Sequence, residues 1–159
     1  MKVELLNKID KREIVVGVVG LGYVGLPLAV EKAKAGFKTI GFDVQEENEG
    51  HNYIGDVVDS DLKKLVEAGM LSATTDFSFV KDVDFIAICV PTPLDKHQQP
   101  DISYVKNSTI EIAKYMTKGT MVVLESTTYP GTTEELIKPL LEKGSGLKCG
   151  EDFYLGFSP

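Results

Sequence analysis

Three short segments hold the residues of this chain whose types and spacing could do chemistry: Gly20–Gly25, Val90–Pro93 and Glu125–Thr128. The first, G-L-G-Y-V-G, follows the apolar run Ile14–Val19 and leads into Leu26–Ala29, apolar apart from a proline. A bare G-x-G-x-x-G string means little, but between a strand and a helix it reads as a dinucleotide-binding turn. Gly20 would let the chain leave the strand tightly. Gly22 would let a pyrophosphate approach the backbone, and Gly25 would let the helix pack closely on the sheet. The free N–H groups and positive dipole end of that helix would face the phosphates. Asp43 closes the run Lys38–Asp43, about 20 residues beyond Gly20, where a carboxylate holds a ribose 2′-OH. A 2′-phosphate there would meet a negative charge, so NAD is expected rather than NADP. The plainer alternative is that the glycines only make a close-packed turn and Asp43 only ends a strand.

The other two segments fall at the ends of apolar runs. In Val90-Pro91-Thr92-Pro93 two prolines fix φ and remove N–H donors, giving a hard wall beside a cofactor or an ordinary strand exit. Glu125-Ser126-Thr127-Thr128 gathers three hydroxyls and a carboxylate before Tyr129-Pro130-Gly131. Those hydroxyls could hold a ribose, a nicotinamide amide or a water, or equally cap the next helix. His51 and His97 are isolated and lack metal-ligand spacing. The run Asp56-Val-Val-Asp59-Ser-Asp61 lacks the glycine and glutamate of a calcium loop and reads as a helix-capping turn. No metal site is expected. Cys89 and Cys149 make no disulfide framework, and Cys89, in an apolar run, reads as a small buried hydrophobe.

Strand and helix signals alternate, which predicts an α/β fold: a Rossmann-type, doubly wound, mainly parallel sheet flanked by helices. Strands are expected over Ile14–Val19, Lys38–Asp43, Ser72–Thr75, Val83–Val90, Met121–Leu124 and Phe153–Phe157. Helices are expected over Val24–Ala35, Asp61–Ala68, Tyr104–Met116 and Thr132–Glu142. The last would be capped by Thr132 or Thr133 and kinked or shortened by Pro139.

The 159 residues fit one domain, and the 43% hydrophobic and 26% charged residues are those of a globular protein. A net charge of −7 argues against nucleic-acid or membrane surfaces, and no apolar run is long enough for a membrane span. The N-terminus, MKVELLNKIDKRE, is charged throughout with no signal core, so a reducing cytoplasmic setting is expected. The final strand is followed at once by Ser158-Pro159, which leads to the expectation of a piece of a longer protein.

With these motifs in order, the chain resembles the UDP-glucose/GDP-mannose dehydrogenase family. The matching pieces are GLGYVGLPLA (Gly20–Ala29), GFDV (Gly41–Val44), CVPTPL (Cys89–Leu94) and ESTTYPGTTEE (Glu125–Glu135). The forms CVPTPLDKHQQPDISYV and ESTTYPGTT look most like the branch acting on UDP-N-acetylglucosamine or UDP-N-acetylmannosamine, and LGFSP looks like the start of the family's S-P-E-R segment. The resemblance implies the N-terminal NAD-binding domain of a nucleotide-sugar 6-dehydrogenase, with the central helix and UDP-sugar domain outside residues 1–159. It implies oxidation of the sugar C6 alcohol to a carboxylate with two NAD⁺, through a thioester on a cysteine of a later domain. The full-length protein would be a homodimer or larger, and this piece would bind NAD without turnover. Gly20, Gly22, Tyr23, Val24 and Gly25 would form the pyrophosphate loop, and Asp43 would hold the adenosine ribose. Val90, Pro91, Thr92 and Pro93 would line the cofactor beyond the second phosphate. Ser126 and Thr127 would face the nicotinamide side, Thr127 helping to position the catalytic water. Where the family carries a longer helix after the aspartate, Gln45–Gly50 leads almost directly into His51-Asn-Tyr, so either this crossover is shortened or this chain omits a mobile stretch; Asn48 there could approach the adenosine. The alternatives are a UDP-glucose 6-dehydrogenase, another dehydrogenase of related fold, and a non-catalytic NAD-sensing module.

Overall fold

The computed structural model describes residues 1–22, 24–43 and 60–158; the expectations for Tyr23, Gln45–Gly50, His51 and the Asp56–Asp59 run lie outside them. Six strands form one sheet: β1 (Val15–Val19), β2 (Lys38–Phe42), β3 (Leu71–Thr74), β4 (Phe85–Ile88), β5 (Met121–Leu124) and β6 (Tyr154–Phe157). All pair in parallel in the order β3-β2-β1-β4-β5-β6, so the winding reverses between β1 and β4. Crevices for ligands open at that reversal, beyond the carboxyl ends of the strands.

The helices are α1 (Lys2–Asp10), α2 (Gly25–Lys34), α3 (Ser60–Glu67), α4 (Ser103–Tyr115) and α5 (Lys138–Ser145). The central strands β1, β4 and β5 are covered on both faces, which is why they are near-continuous apolar runs. On one face Val16, Val18, Ala87 and Cys89 pack with Leu26, Ala29, Val30 and Ala33 of α2 and Leu62 of α3. On the other, Val19, Ile86, Ile88 and Leu124 pack with Val105 and Ile112 of α4 and Leu141 of α5. Gly144 brings α5 against α4; a Cβ there would lie 2.6 Å from that of Ala113.

Three segments differ from the sequence expectation. The charged N-terminus is helical: Leu5 and Ile9 of α1 pack against the α2-side core, and Lys8 pairs with Asp84 at 3.6 Å. Asp84 in turn accepts the N–H of Val15 at 2.9 Å, joining α1 to the amino edge of the sheet. The expected Val83–Val90 strand is only Phe85–Ile88, because Phe77–Asp82 forms a 3₁₀ turn capped by Asp76 and closed onto Val83. The expected Thr132–Glu142 helix opens as a π-turn, Thr133–Ile137, and only then becomes α5, which runs on to Ser145. Pro139 thus sits at the first helical positions of α5, where its missing N–H costs nothing.

Candidate cofactor-binding site

The exits of β1, β4 and β5 converge at the carboxyl edge, and each motif glycine has a separate steric reason to be there. Gly20 donates its N–H to Phe42 at 2.8 Å and has φ of 92°, the left-handed region that side chains avoid. A Cβ on Gly20 would stand 2.8 Å from the Cys89 carbonyl oxygen. A Cβ on Gly25 would overlap the Gly20 carbonyl oxygen and come within 3.3 Å of the Cys89 Cβ. Gly22 is the opposite case: no described heavy atom lies within 4 Å of where its Cβ would be. Two glycines therefore seal helix to sheet, and the middle one leaves room outside.

Helix α2 begins immediately beyond this space. The N–H of Leu26 donates to Gly22 at 3.1 Å and that of Leu28 to Val24 at 3.2 Å. Among the described residues no side chain caps the helix, and its first turn has no acidic residue, so its positive dipole end beside Gly22 is not neutralised by any of them. Val24 is exposed at that end. Asp43, half-buried, directly follows Phe42, whose carbonyl accepts the Gly20 N–H, and donates its own N–H to Thr74 at 3.2 Å. Gly41, given no role from the sequence alone, has one here: a Cβ would stand 2.7 Å from Leu21, whose side chain anchors the turn on β2.

At the β4 exit Val90 is buried, Pro91 and Pro93 are exposed and Thr92 is half-buried. Beyond them Leu94 bridges Pro100, and the intervening arm is closed by Asp95, whose carboxylate accepts the N–H groups of His97 at 2.7 Å and Gln99 at 3.0 Å. Sequence reasoning missed this arm; its signal was an aspartate able to close an Asx turn between two prolines. At the β5 exit Ser126 is buried and donates its hydroxyl to Val90 at 2.8 Å, with a longer contact to Ile88 at 3.3 Å. Thr127 is exposed and Thr128 half-buried. The expected cap role for Thr132 does not hold: its hydroxyl donates back to Tyr129 at 2.7 Å and closes the turn. The hydroxyl of Tyr129 reaches Gln99 at 3.4 Å, so the β4 and β5 exits also touch at their tips.

Neither cysteine is suited to nucleophilic work. Burial, reinforced by the Glu125 carboxylate, pushes the Cys89 thiol from an ordinary 9.0 up to about 12. Cys149, also raised by burial, stands beside Phe153 at the amino edge of β6, the opposite edge of the sheet. Among the described residues no group of acidic, histidine and cysteine side chains could hold a metal. No helix among them is long and apolar enough to cross a membrane. The space at Gly22, the helix end that no described side chain caps and an aspartate at the end of β2 fit a dinucleotide's pyrophosphate and adenosine ribose.

Residues 14–159 match the NAD binding domain of the UDP-glucose/GDP-mannose dehydrogenase family. The chain belongs to that family. The UDP-glucose/GDP-mannose dehydrogenase fold accounts for the sheet order and for NAD as the cofactor of this domain. The chain is 43% identical over 150 residues to a UDP-N-acetyl-D-glucosamine 6-dehydrogenase of Pseudomonas aeruginosa, covering 93% of this chain and 35% of that protein. It is 37% identical over 150 residues to a UDP-N-acetyl-D-mannosamine dehydrogenase of Pyrococcus horikoshii, covering 91% of this chain and 35% of that protein. The solved UDP-D-ManNAc dehydrogenase of P. horikoshii superposes with a TM-score of 0.80 at 33% identity, over 92% of this chain and 36% of that one. A GDP-mannose dehydrogenase of P. aeruginosa gives 0.77 at 35% identity, over 91% and 35%. The chain thus spans about a third of the length of these family members.

Proposed function

We propose that this chain is the NAD-binding part of a dehydrogenase that oxidises C6 of a UDP-N-acetylhexosamine, UDP-N-acetylglucosamine or UDP-N-acetylmannosamine, from alcohol to carboxylate with two NAD⁺. The cofactor reading rests on one observation above the others: alone among the motif glycines, Gly22 has no described heavy atom within 4 Å of its Cβ position, at a helix end that no described side chain caps. In this reading the backbone of Gly20, Gly22, Tyr23, Val24 and Gly25 holds the pyrophosphate, and Asp43 accepts from the adenosine ribose and excludes a 2′-phosphate. Val90, Pro91, Thr92 and Pro93 wall the middle of the cofactor. Ser126 and Thr127 form the nicotinamide side, and the exposed Thr127 hydroxyl orients a water without acting as a base. NAD supplies the hydride acceptor of both oxidations, and water supplies the second carboxylate oxygen. The substrate class is taken from the similar proteins, two of which act on UDP-N-acetylhexosamines by name. The thiol for the second oxidation lies outside this chain, since Cys89 is sealed in the core and Cys149 is on the wrong edge.

Calorimetric titration of this chain with NAD⁺ and NADP⁺, beside Asp43→Ala, tests the reading. NAD⁺ binding that exceeds NADP⁺ binding and weakens in Asp43→Ala is expected; failure of the chain to bind NAD⁺ overturns it. The chain alone, given UDP-N-acetylglucosamine and NAD⁺, should form no NADH.

A further inference from the structure

The carboxylate of Glu125 is half-buried, yet it accepts no hydrogen bond and forms no ion pair among the described residues. Asp84, Asp101, Glu111, Glu142 and Asp152 have the same burial, and each takes a backbone N–H or a lysine. Drawing an ionised group out of water without a partner is costly. An unpaired carboxylate in a crevice therefore marks a place where a ligand supplies the donor.

The strands fix where this carboxylate stands. Glu125 donates its N–H to Ile88 at 2.9 Å. Leu124 pairs with Ile88, so the next step of the register sets Glu125 opposite Cys89. Leu124 faces the α4 and α5 core, and side chains alternate along a strand, so Glu125 points to the α2 face, as Cys89 does. Its charge reaches the Cys89 thiol and adds to the effect of burial there. The Cys89 Cβ in turn lies 3.3 Å from the position of a Gly25 Cβ, at the start of α2. Along the carboxyl edge Asp43 follows β2, the Gly20–Gly25 turn follows β1, Cys89 and Val90 follow β4, and Glu125 follows β5. A dinucleotide with its adenosine ribose at Asp43 and its pyrophosphate at the turn carries its nicotinamide half towards Glu125.

We propose that Glu125 is a cofactor-binding residue whose carboxylate takes a donor of the nicotinamide half and favours the oxidised, cationic ring over the reduced, neutral one. This rests on the NAD-binding reading and adds to it a β5-exit residue other than Ser126 and Thr127. The nicotinamide half offers ribose hydroxyls and a carboxamide NH₂ as donors, and an ionised carboxylate only accepts. No lysine or arginine of the three exit segments competes for it. Hydride transfer removes the positive charge of the ring, so the attraction to Glu125 is present before the transfer and lost after it. The proposed reaction uses two NAD⁺ in turn, and NADH must leave between the oxidations. A charge that holds NAD⁺ more tightly than NADH favours that exchange.

Titration of the 159-residue chain and its Glu125→Gln and Glu125→Ala variants with NAD⁺, NADH and ADP tests this. ADP carries the adenosine and the pyrophosphate but no nicotinamide half. Glu125→Gln keeps the shape and removes the charge. It should bind NAD⁺ about three- to tenfold more weakly than wild type, with NADH within about twofold and ADP unchanged. Glu125→Ala also removes the acceptor and should weaken NADH as well, again with ADP unchanged. An NAD⁺-to-NADH affinity ratio that is the same in Glu125→Gln and wild type overturns the proposal. So does an equal loss for all three ligands, which would make Glu125 a structural residue. Wild type that binds ADP as tightly as NAD⁺ overturns it too, while leaving the pyrophosphate and ribose reading in place. Wild type that binds none of the three brings down the NAD reading and the proposal with it.

Discussion

Two glycines three positions apart should fail in opposite ways when a single methyl group is added. At Gly25 the new Cβ would overlap the Gly20 carbonyl oxygen and press on Cys89. Both obstacles are backbone or near-backbone in a packed core, so relief requires α2 to move off the sheet. Overpacking with little room to relax costs about 3 kcal/mol or more. For a chain of this size that lowers Tm by about 6–12 °C. At Gly22 the new Cβ meets nothing among the described residues, and the backbone is not in the left-handed region. Gly22→Ala should therefore fold with a stability within about 0.5 kcal/mol of wild type, or gain slightly through a less flexible unfolded chain. Its methyl would occupy the space assigned to the pyrophosphate. Displacing that group from the helix end loses one or two charge-assisted hydrogen bonds of about 1.5–3 kcal/mol each. NAD⁺ affinity should fall about 10- to 100-fold or further. Thermal unfolding and calorimetric NAD⁺ titration on both variants separate the two effects. Gly22→Ala with unchanged NAD⁺ affinity, or Gly25→Ala melting with the wild type, would refute the division of labour drawn from the structure.

The Cys89 thiol, pushed up to about 12 in the fold, keeps its proton while an unfolded chain loses it near 9.0, so stability should fall as pH rises between those values, by at most about 1.4 kcal/mol per unit. Urea unfolding across that range should show a shallower slope for Cys89→Ala than for wild type, and parallel slopes would contradict the burial argument. Asp43→Asn should weaken NAD⁺ binding and narrow the preference over NADP⁺, read in the same calorimeter; an unchanged ratio removes the 2′-phosphate argument. NAD⁺ affinity should change little from low salt to about 0.5 M salt, because no Lys or Arg occurs in Gly20–Gly25, Val90–Pro93 or Glu125–Thr128. A steep salt dependence would point to a cation outside these loops.

The strand-turn-helix unit was legible because glycine punctuation and uninterrupted apolar strands are local signals. Met121–Leu124 is a strand with the bounds its sequence predicts, and the parallel sheet with flanking helices followed from the alternation of elements, though not its strand order. Other features depend on partners that the sequence does not name. Leu5 and Ile9 are an i, i+4 pair, but charged residues around them hid the helix until Asp84 and the core supplied its docking surface. Pro139 was read as a kink within one helix, whereas the chain reconciles it with a π-turn ahead and a helix start at the proline. Thr132 had the composition of a cap, yet its hydroxyl closes the Tyr129 turn. Ser126 shows the limit most clearly. Its hydroxyl was visible in the sequence, but its partner, the Val90 carbonyl 2.8 Å away, lies on another strand exit, which no local pattern encodes.

The site also resolves an apparent conflict between a chain of net charge −7 and a dinucleotide that carries two negative phosphates. The three exit segments contain no lysine or arginine, and residues 44–59, which follow Asp43, contain none either. An anion held there must be held by peptide N–H groups and a helix end, whose influence is confined to about one turn of helix. Such binding is indifferent to charges farther than about 10 Å away at moderate salt, so the acidic surface does not oppose it. On the proposed reading the same acidity acts where it is close: Asp43 at the end of β2 would work against any additional phosphate on the adenosine ribose. Short-range dipoles would then admit the pyrophosphate, and a short-range carboxylate would refuse a further one. Selection between the two nicotinamide cofactors would need no cation, only backbone geometry fixed by Gly20 and Gly25 and one carboxylate at the end of β2.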